Sequence, residues 1–242
     1  MKKIFLVFIV GLFSCVFAKD VIKVGISPDY PPFEYMKDGE IVGFDRDLVV
    51  ALADEVGVEV KFVSMNFDGL IAALSRGKID MIASGMAYTK ERAKRCEFTQ
   101  SYYDSITYFV KLKSNTSIKN RMDLVGKKVG AQTGSAQAED VNAINGAIPV
   151  LNSDPMVFIM ATLSGKVDAF VLGSITANEY IKKYEELEVF DKTEPGHHSG
   201  MNLAFKKGDV ELRDKFDNAI NTIKGNGVYK DLLKKHNLDV GF

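Results

Sequence analysis

A short glycine-containing turn in the second half of the chain has the composition of an anion-binding site. Gly134, Ser135 and Ala136 stand directly before a segment that the sequence predicts to be helical from residue 137 to residue 144. The first amide groups of a helix have no partner within the helix, and the helix dipole places partial positive charge beside them. We therefore expect this turn to attract an anion. Ser135 is a candidate for capping the helix, for binding the anion, or for both.

Residue types that commonly carry catalysis or bind metals are sparse. Of the two cysteines, Cys15 lies in the N-terminal apolar segment and Cys96 is expected to be a small buried apolar residue. His197, His198 and His236 have no Cys or His partner at a recognised metal-ligand spacing. The sequence predicts no catalytic residue, no metal site and no cofactor, and places the adjacent pair of histidines in a polar loop.

The N-terminus has the features of an export signal. Two lysines precede an apolar run at residues 4–13, and small residues follow near Ala18. That run is shorter than the about 20 residues that a membrane-spanning helix needs. We predict cleavage of residues 1–18 and a periplasmic location. Lipoprotein anchoring is the alternative, because the four residues that end at Cys15 resemble a lipobox.

The charge balance argues against nucleic acid as a partner. The chain has 31 Lys and Arg residues against 32 Asp and Glu residues, for a net charge of −1. Removal of the two lysines in the export signal gives 29 − 32 = −3. A surface that neutralises phosphates normally needs a clear excess of basic residues.

The first predicted elements follow in the order strand, helix, strand. Residues 21–26 have strand composition and are followed at once by prolines, and residues 58–63 have strand composition again. Between them, Asp45 is expected to cap a helix with one apolar face. This order predicts an α/β fold with strands that pair in parallel and helices packed on the sheet.

Two internal similarities indicate two lobes of the same construction. Residues 74–82 resemble residues 163–171, and each segment contains a helix end, a Gly-Lys turn and a strand. Residues 24–27 and 129–132 are a second pair, each a short strand that enters a polar or Pro/Gly-rich loop. The spacing is too long for a solenoid repeat.

The lobe limits are predicted from two extended segments, at residues 106–111 and 201–205, which we expect to cross between the lobes. The first lobe is then discontinuous, with the ligand cleft between the lobes. The predicted domains are the first lobe at 20–109 and 202–242 and the second lobe at 110–201.

Four ordered stretches carry a resemblance to a known family. They lie at residues 25–34, 43–48, 82–92 and 129–135. With them the chain resembles, over residues 20 to 242, the type II periplasmic solute-binding proteins of polar amino acid ABC transporters, which are bacterial extracellular solute-binding proteins of family 3. The resemblance implies a two-lobed type II fold, in which each lobe is a mixed β-sheet flanked by helices and a two-strand hinge joins the lobes.

The resemblance also implies a ligand site. Its residues are Tyr30, Phe67, Ser84, Gly85, Ala87, Arg92, Ser135, Ala136 and Gly173. Arg92 is expected to hold the ligand carboxylate through its planar guanidinium. Thr89 is expected to begin the helix that carries Arg92 rather than to contact ligand. Tyr30 and Phe67 are candidates both for the site and for the core.

Gly173 departs from the family pattern. The family normally places an aspartate at this position to receive the ligand ammonium, and glycine has no carboxylate. A buried ammonium without a partner is costly. Either another group, with Glu34 and Asp29 as the candidates, compensates for the missing carboxylate, or the ligand is not an ordinary α-amino acid.

The expected function is capture of a small carboxylate-bearing solute, an amino acid in the first place, by a monomer that delivers it to the membrane permease of an ABC importer. One alternative is an enzyme similar to the periplasmic cyclohexadienyl dehydratases, which needs a positioned general acid where Gly173 stands. The other is a solute sensor that acts in trans on a receptor.

Overall fold

The computed structural model describes residues 20–198 and 200–239. The predicted export signal, with Cys15, lies outside the described residues. Within them, strands and helices alternate along most of the chain, which confirms the predicted α/β class. None of the helices in these two ranges combines the length and the apolarity of a membrane span.

The elements are numbered in chain order. The strands are β1 (Val21–Ile26), β2 (Asp29–Tyr30), β3 (Glu34–Lys37), β4 (Glu40–Val42), β5 (Glu59–Ser64), β6 (Met81–Ile82), β7 (Cys96–Tyr103), β8 (Thr107–Leu112), β9 (Lys128–Gln132), β10 (Ile148–Asn152), β11 (Ala169–Gly173), β12 (Leu187–Lys192) and β13 (Met201–Lys206). The helices are α1 (Phe44–Val56), α2 (Leu70–Ser75), α3 (Lys90–Ala93), α4 (Ala136–Ala143), α5 (Pro155–Leu163), α6 (Ser174–Lys183), α7 (Val210–Gly225) and α8 (Val228–Lys235).

Two five-stranded sheets organise the molecule. The first has the order β5-β1-β6-β13-β7 and the second the order β10-β9-β11-β8-β12. In each sheet the first three strands are parallel and the last two are antiparallel to their neighbours. The two sheets therefore share one topology, as the internal similarities predict. "First lobe" and "second lobe" denote these sheets with the helices packed on them.

Two glycines at equivalent places show how closely the helical layers approach the sheets. A Cβ atom on Gly25 of β1 would lie 2.3 Å from Ile79 Cδ1, and one on Gly130 of β9 would lie 2.6 Å from Phe158 Cβ. A side chain at Gly130 would require the backbone-proximal atoms of Phe158 to move, and one at Gly25 would require the tips of Ile79 and Leu70 to move. Glycine in both strands thus allows a bulky apolar residue to pack directly on the backbone.

Among the described residues, the buried apolar side chains form four clusters, two in each lobe. All five residues of β11 are buried, as expected for a strand covered on both faces. Cys96 is buried and has no disulfide, in line with its predicted role as a small apolar residue.

The chain passes between the sheets at other residues than the extended segments suggest. Strand β7 ends at Tyr103 in the first sheet, β8 begins at Thr107 in the second, and the chain returns between β12 and β13. The two extended segments that the sequence suggests as crossings are strands β8 and β13, each paired within one sheet. Strand composition shows that a segment is extended but does not reveal its pairing partner. Residues 107–109 pair in the second sheet and Met201 in the first. The predicted lobe limits differ from this strand membership and stay predictions.

Candidate ligand-binding site

A pocket lies between the lobes, where loops that follow strands of both sheets face each other. Its empty volume is about 550 Å³, including the part open to solvent, which is within the range of small-molecule sites. The lining residues are Asp29, Tyr30, Glu34, Phe67, Ser84, Gly85, Ala87, Ser105, Gln132, Ser135, Gln137, Gly173, His198, Gly200 and Met201.

Seven of the nine predicted site residues line this pocket. They are Tyr30, Phe67, Ser84, Gly85, Ala87, Ser135 and Gly173. Arg92 and Ala136 do not line it, but Arg92 donates a hydrogen bond to the carbonyl of Ala87, which does, and Ala136 lies between Ser135 and Gln137, which also do. Glu34 and Asp29, which the sequence suggests as substitutes for the carboxylate missing at Gly173, both line the pocket. Sequence reasoning missed the remainder, of which Gln132 and Gln137 flank the recognised turn. That these residues bind ligand remains a prediction.

Arg92 connects the two lobes. Thr89 Oγ1 accepts a hydrogen bond from the Arg92 amide at 3.2 Å, so Thr89 caps α3 as predicted. The side chain is buried, with its Nη1 atom donating to the Ala87 carbonyl at 2.6 Å and its Nη2 atom donating to the Gly134 carbonyl at 2.8 Å. Burial lowers the Arg92 pKa from its high ordinary value. The guanidinium has five N–H groups, and among the described residues these two carbonyls are its hydrogen-bond acceptors.

The predicted anion-binding turn faces Arg92 from the second lobe. Helix α4 begins at Ala136, and Ser135 caps it by accepting a hydrogen bond from the Ala138 amide at 3.1 Å. Gly134 has φ of +76°, a conformation that favours glycine. Because Ser135 also lines the pocket, capping does not remove it from the site. A ligand carboxylate between Arg92 and this turn would meet a cation and the positive end of a helix.

Asp45 has a role other than the predicted helix cap. Helix α1 begins at Phe44, and its N-cap position is Gly43, which has no side chain to cap with. The Asp45 side chain instead accepts hydrogen bonds at Oδ2, from the Gly85 amide at 2.8 Å and from the Tyr102 hydroxyl at 2.6 Å. An acidic residue near a helix start is compatible with both roles, so the sequence does not distinguish them. Asp45 thereby holds the pocket wall from behind.

Glu34 and Asp45 form a buried pair of carboxyl groups. Glu34 Oε1 accepts a hydrogen bond from Ser84 Oγ at 2.9 Å. Among the described residues, neither Glu34 Oε2 nor Asp45 Oδ1 accepts a hydrogen bond from a third group. Burial, with the neighbouring negative charge, raises the pKa of Glu34 well above its usual range, and burial raises that of Asp45. One proton shared between the two carboxyl groups would give both oxygens a partner.

Asp29 is the second carboxylate of the pocket. It accepts hydrogen bonds from Ser27 Oγ at 3.0 Å and from Gln132 Nε2 at 3.2 Å, and the second of these bonds joins the two lobes. Burial raises the pKa of Asp29 to about 6, against the opposing effect of both hydrogen bonds. A group with this pKa changes charge close to neutral pH.

The hydroxyl of Tyr30 occupies the space beside Gly173. The Gly173 amide donates a hydrogen bond to the Tyr30 hydroxyl oxygen at 2.7 Å. A Cβ atom on Gly173 would lie 2.5 Å from that oxygen and 3.2 Å from Ser105 Oγ. Tyr30 also packs on apolar side chains of both lobes, so it belongs to the pocket and to the core. The aspartate of the family pattern cannot be accommodated here without movement of the tyrosine.

Replacement of Gly173 by alanine is expected to destabilise the protein by about 1–3 kcal/mol, because the added methyl overlaps the Tyr30 hydroxyl. In a Tyr30→Phe background the same change should cost much less, since the phenyl ring lacks that oxygen. Urea unfolding of the four proteins in this double-mutant cycle measures the coupling. Equal costs of Gly173→Ala in both backgrounds would show that the hydroxyl does not control this position.

A pocket built from two α/β lobes of shared topology, with two carboxyl groups in its lining and a buried guanidinium that bridges the lobes beside it, defines a two-lobed solute-binding protein. The chain belongs to the bacterial extracellular solute-binding proteins, family 3, whose sequence profile matches residues 22–239. Members of this family are binding proteins and not enzymes, and its name places them outside the cytoplasm. The dehydratase alternative is thereby set aside.

Individual relatives agree with this assignment. A probable histidine-binding protein of Campylobacter jejuni is 39% identical over 219 residues, which cover 90% of this chain and 85% of the relative. An arginine-binding extracellular protein of Bacillus subtilis is 34% identical over 227 residues, covering 88% and 84%. A solved structure of an ancestral arginine-binding protein bound to arginine matches with a TM-score of 0.86 and 34% identity, covering 91% of this chain and 99% of that one.

Proposed function

We propose that the protein captures an amino acid with a cationic side chain in the pocket between its lobes. As a monomer in the periplasm, it delivers this ligand to the membrane permease of an ABC importer. The observation that carries the proposal is the charge of the pocket: two carboxyl groups, those of Asp29 and Glu34, line it. The guanidinium of Arg92 does not line the pocket but donates a hydrogen bond to the carbonyl of Ala87, which does.

The two kinds of charge suit the two ends of such a ligand. The α-carboxylate is assigned to Arg92 and to the start of α4, where a guanidinium and free helix amides provide donors. The α-ammonium and the cationic side chain are assigned to Glu34 and Asp29. These groups compensate for the missing carboxylate at Gly173, because each cation that enters a buried site needs an acceptor of opposite charge.

The relatives support this ligand class. The Campylobacter jejuni protein is described as a probable histidine-binding protein and the Bacillus subtilis protein as arginine-binding. Both amino acids have basic side chains, in agreement with a pocket that presents more acidic than basic groups.

Calorimetric titration with arginine, histidine and citrulline tests the proposal directly. Citrulline has the shape of arginine without its side-chain charge. We expect arginine or histidine to bind more tightly than citrulline, and all three to bind more tightly than the corresponding carboxylates that lack the α-amine. Preferential binding of an acidic amino acid, or of the amine-free carboxylates, would disprove the assignment of Glu34 and Asp29 to the cations.

Arginine affinity is expected to fall as the pH is lowered from about 7 to about 5. The pKa of Asp29 is raised to about 6, so the free protein takes up a proton there over this range and must release it to pair with a cation. Below the pKa this linkage weakens binding by up to about tenfold per pH unit. Calorimetry across this range measures the slope.

Citrulline and the Asp29→Asn variant are the controls for this pH dependence. Citrulline brings no side-chain cation, and asparagine does not titrate, so the slope should be shallower with either. A slope for arginine that is unchanged in Asp29→Asn would assign the proton to another group.

A further inference from the structure

Two adjacent histidines and one aspartate meet beside the pocket. His197 and His198 lie on the segment that returns the chain from the second lobe to the first, and Asp140 lies on α4. His197 Nε2 is 2.7 Å from Asp140 Oδ1, and His198 Nε2 is 2.9 Å from Asp140 Oδ2. Each oxygen of a single carboxylate thus faces a different imidazole nitrogen.

This arrangement has the donor set and nearly the dimensions of a transition-metal site. One ligand atom from each residue can be chosen so that the three atoms lie within 4.8 Å of one another. Neighbouring ligand atoms about 2.1 Å from an ion are about 3.0 Å apart in octahedral geometry and about 3.4 Å apart in tetrahedral geometry. The two nitrogen–oxygen distances, 2.7 and 2.9 Å, are shorter than the octahedral separation by about 0.1–0.3 Å and shorter than the tetrahedral separation by about 0.5–0.7 Å.

The surroundings also suit an ion. The side chain of Asp140 is 11% exposed and that of His198 is 16% exposed, whereas His197 is 45% exposed. Two of the three ligands are therefore held in place by packing, and the third leaves an approach from solvent. His198 also lines the amino-acid pocket, which places the cluster at its rim.

We infer that Asp140, His197 and His198 form a binding site for a divalent transition-metal ion of the class that favours imidazole ligands, such as Zn²⁺. Two imidazoles and one carboxylate are a recurrent ligand set for such ions, and three protein ligands leave a position for water or another small ligand. The prediction of no metal site rested on local spacing, which does not include a ligand 57 residues away in sequence. This site goes beyond the proposed transport function and does not depend on it.

The test is calorimetric titration with Zn²⁺ of protein purified without a polyhistidine tag and freed of metal with a chelator. We expect saturable binding of one ion per molecule. His197→Ala and Asp140→Asn should each weaken Zn²⁺ affinity by about tenfold or more, because loss of a supporting group at a metal site already lowers affinity by about that factor. The thermal unfolding temperature of each variant, without metal, verifies that it is folded.

His236→Ala is the matched control. The His236 Nε2 atom lies 2.8 Å from Asp47 Oδ2, so it is a histidine–aspartate pair without a second histidine. Its replacement should leave Zn²⁺ affinity unchanged. Absence of saturable binding to the unmodified protein would overturn the proposal. So would wild-type affinity in His197→Ala and Asp140→Asn, or an equal loss in His236→Ala.

Discussion

Arg92→Ala is expected to weaken amino-acid binding by about 10- to 150-fold, while the protein remains folded. The guanidinium is buried at the junction of the two lobes, where it contacts the carbonyls of Ala87 and Gly134. A charged hydrogen bond contributes about 1.5–3 kcal/mol, and this variant removes the one that we assign to the ligand carboxylate. Calorimetric titration with arginine measures the loss.

Arg95→Ala provides the matched control for this experiment. Arg95 follows Arg92 by three residues and is exposed, so its removal changes the net charge equally without altering the site. Its affinity should equal that of the unmodified protein. If Arg92→Ala binds arginine as well as Arg95→Ala does, Arg92 does not hold the ligand.

Local features of the site were predictable because their causes lie within a few residues. The Thr89 cap and the turn before α4 depend on side chains next to the helix starts that they form. The shared topology of the lobes was predictable for a similar reason, since residues 74–82 and 163–171 each contain a helix end, a turn and a strand, and residues 24–27 and 129–132 each contain a strand that enters a loop. Predicted element boundaries differ from the observed ones by about one residue: α4 is predicted at 137–144 and spans Ala136–Ala143.

Features that depend on distant partners were not predictable. The carboxylate of Asp45 meets an amide 40 residues later, and the amide of Gly173 meets a hydroxyl 143 residues earlier. The sequence shows that Gly173 lacks a carboxylate, but only the fold shows that the Tyr30 hydroxyl takes up the space. The pairing partners of β8 and β13 could not be read from the sequence for the same reason, since residue types show that a segment is extended but not which strand it joins.

The Glu34–Asp45 pair connects the stability of the first lobe to the shape of the pocket. Ser84 and Gly85, which line the pocket, are each bonded to one member of the pair. Gly85 has φ of +53°, a conformation with little tolerance for other residues, so its amide position depends on the acceptor behind it. The carboxyl pair, of which Glu34 lines the pocket, thereby fixes the backbone of the pocket wall.

Asp45→Ala is consequently expected to lower the free energy of unfolding by about 2–4 kcal/mol. The variant leaves the Gly85 amide and the Tyr102 hydroxyl without their acceptor, and each unsatisfied buried donor costs about 1–3 kcal/mol. The net loss is smaller than the sum, because the variant also removes the cost of burying the carboxyl group. Urea unfolding measures the change. Asp45→Asn should lose less than about 1 kcal/mol, because its amide oxygen can still accept and its NH₂ group can donate to Glu34 Oε2. Equal losses in the two variants would refute a shared proton between Glu34 and Asp45, since the amide supplies the hydrogen that this proton provides.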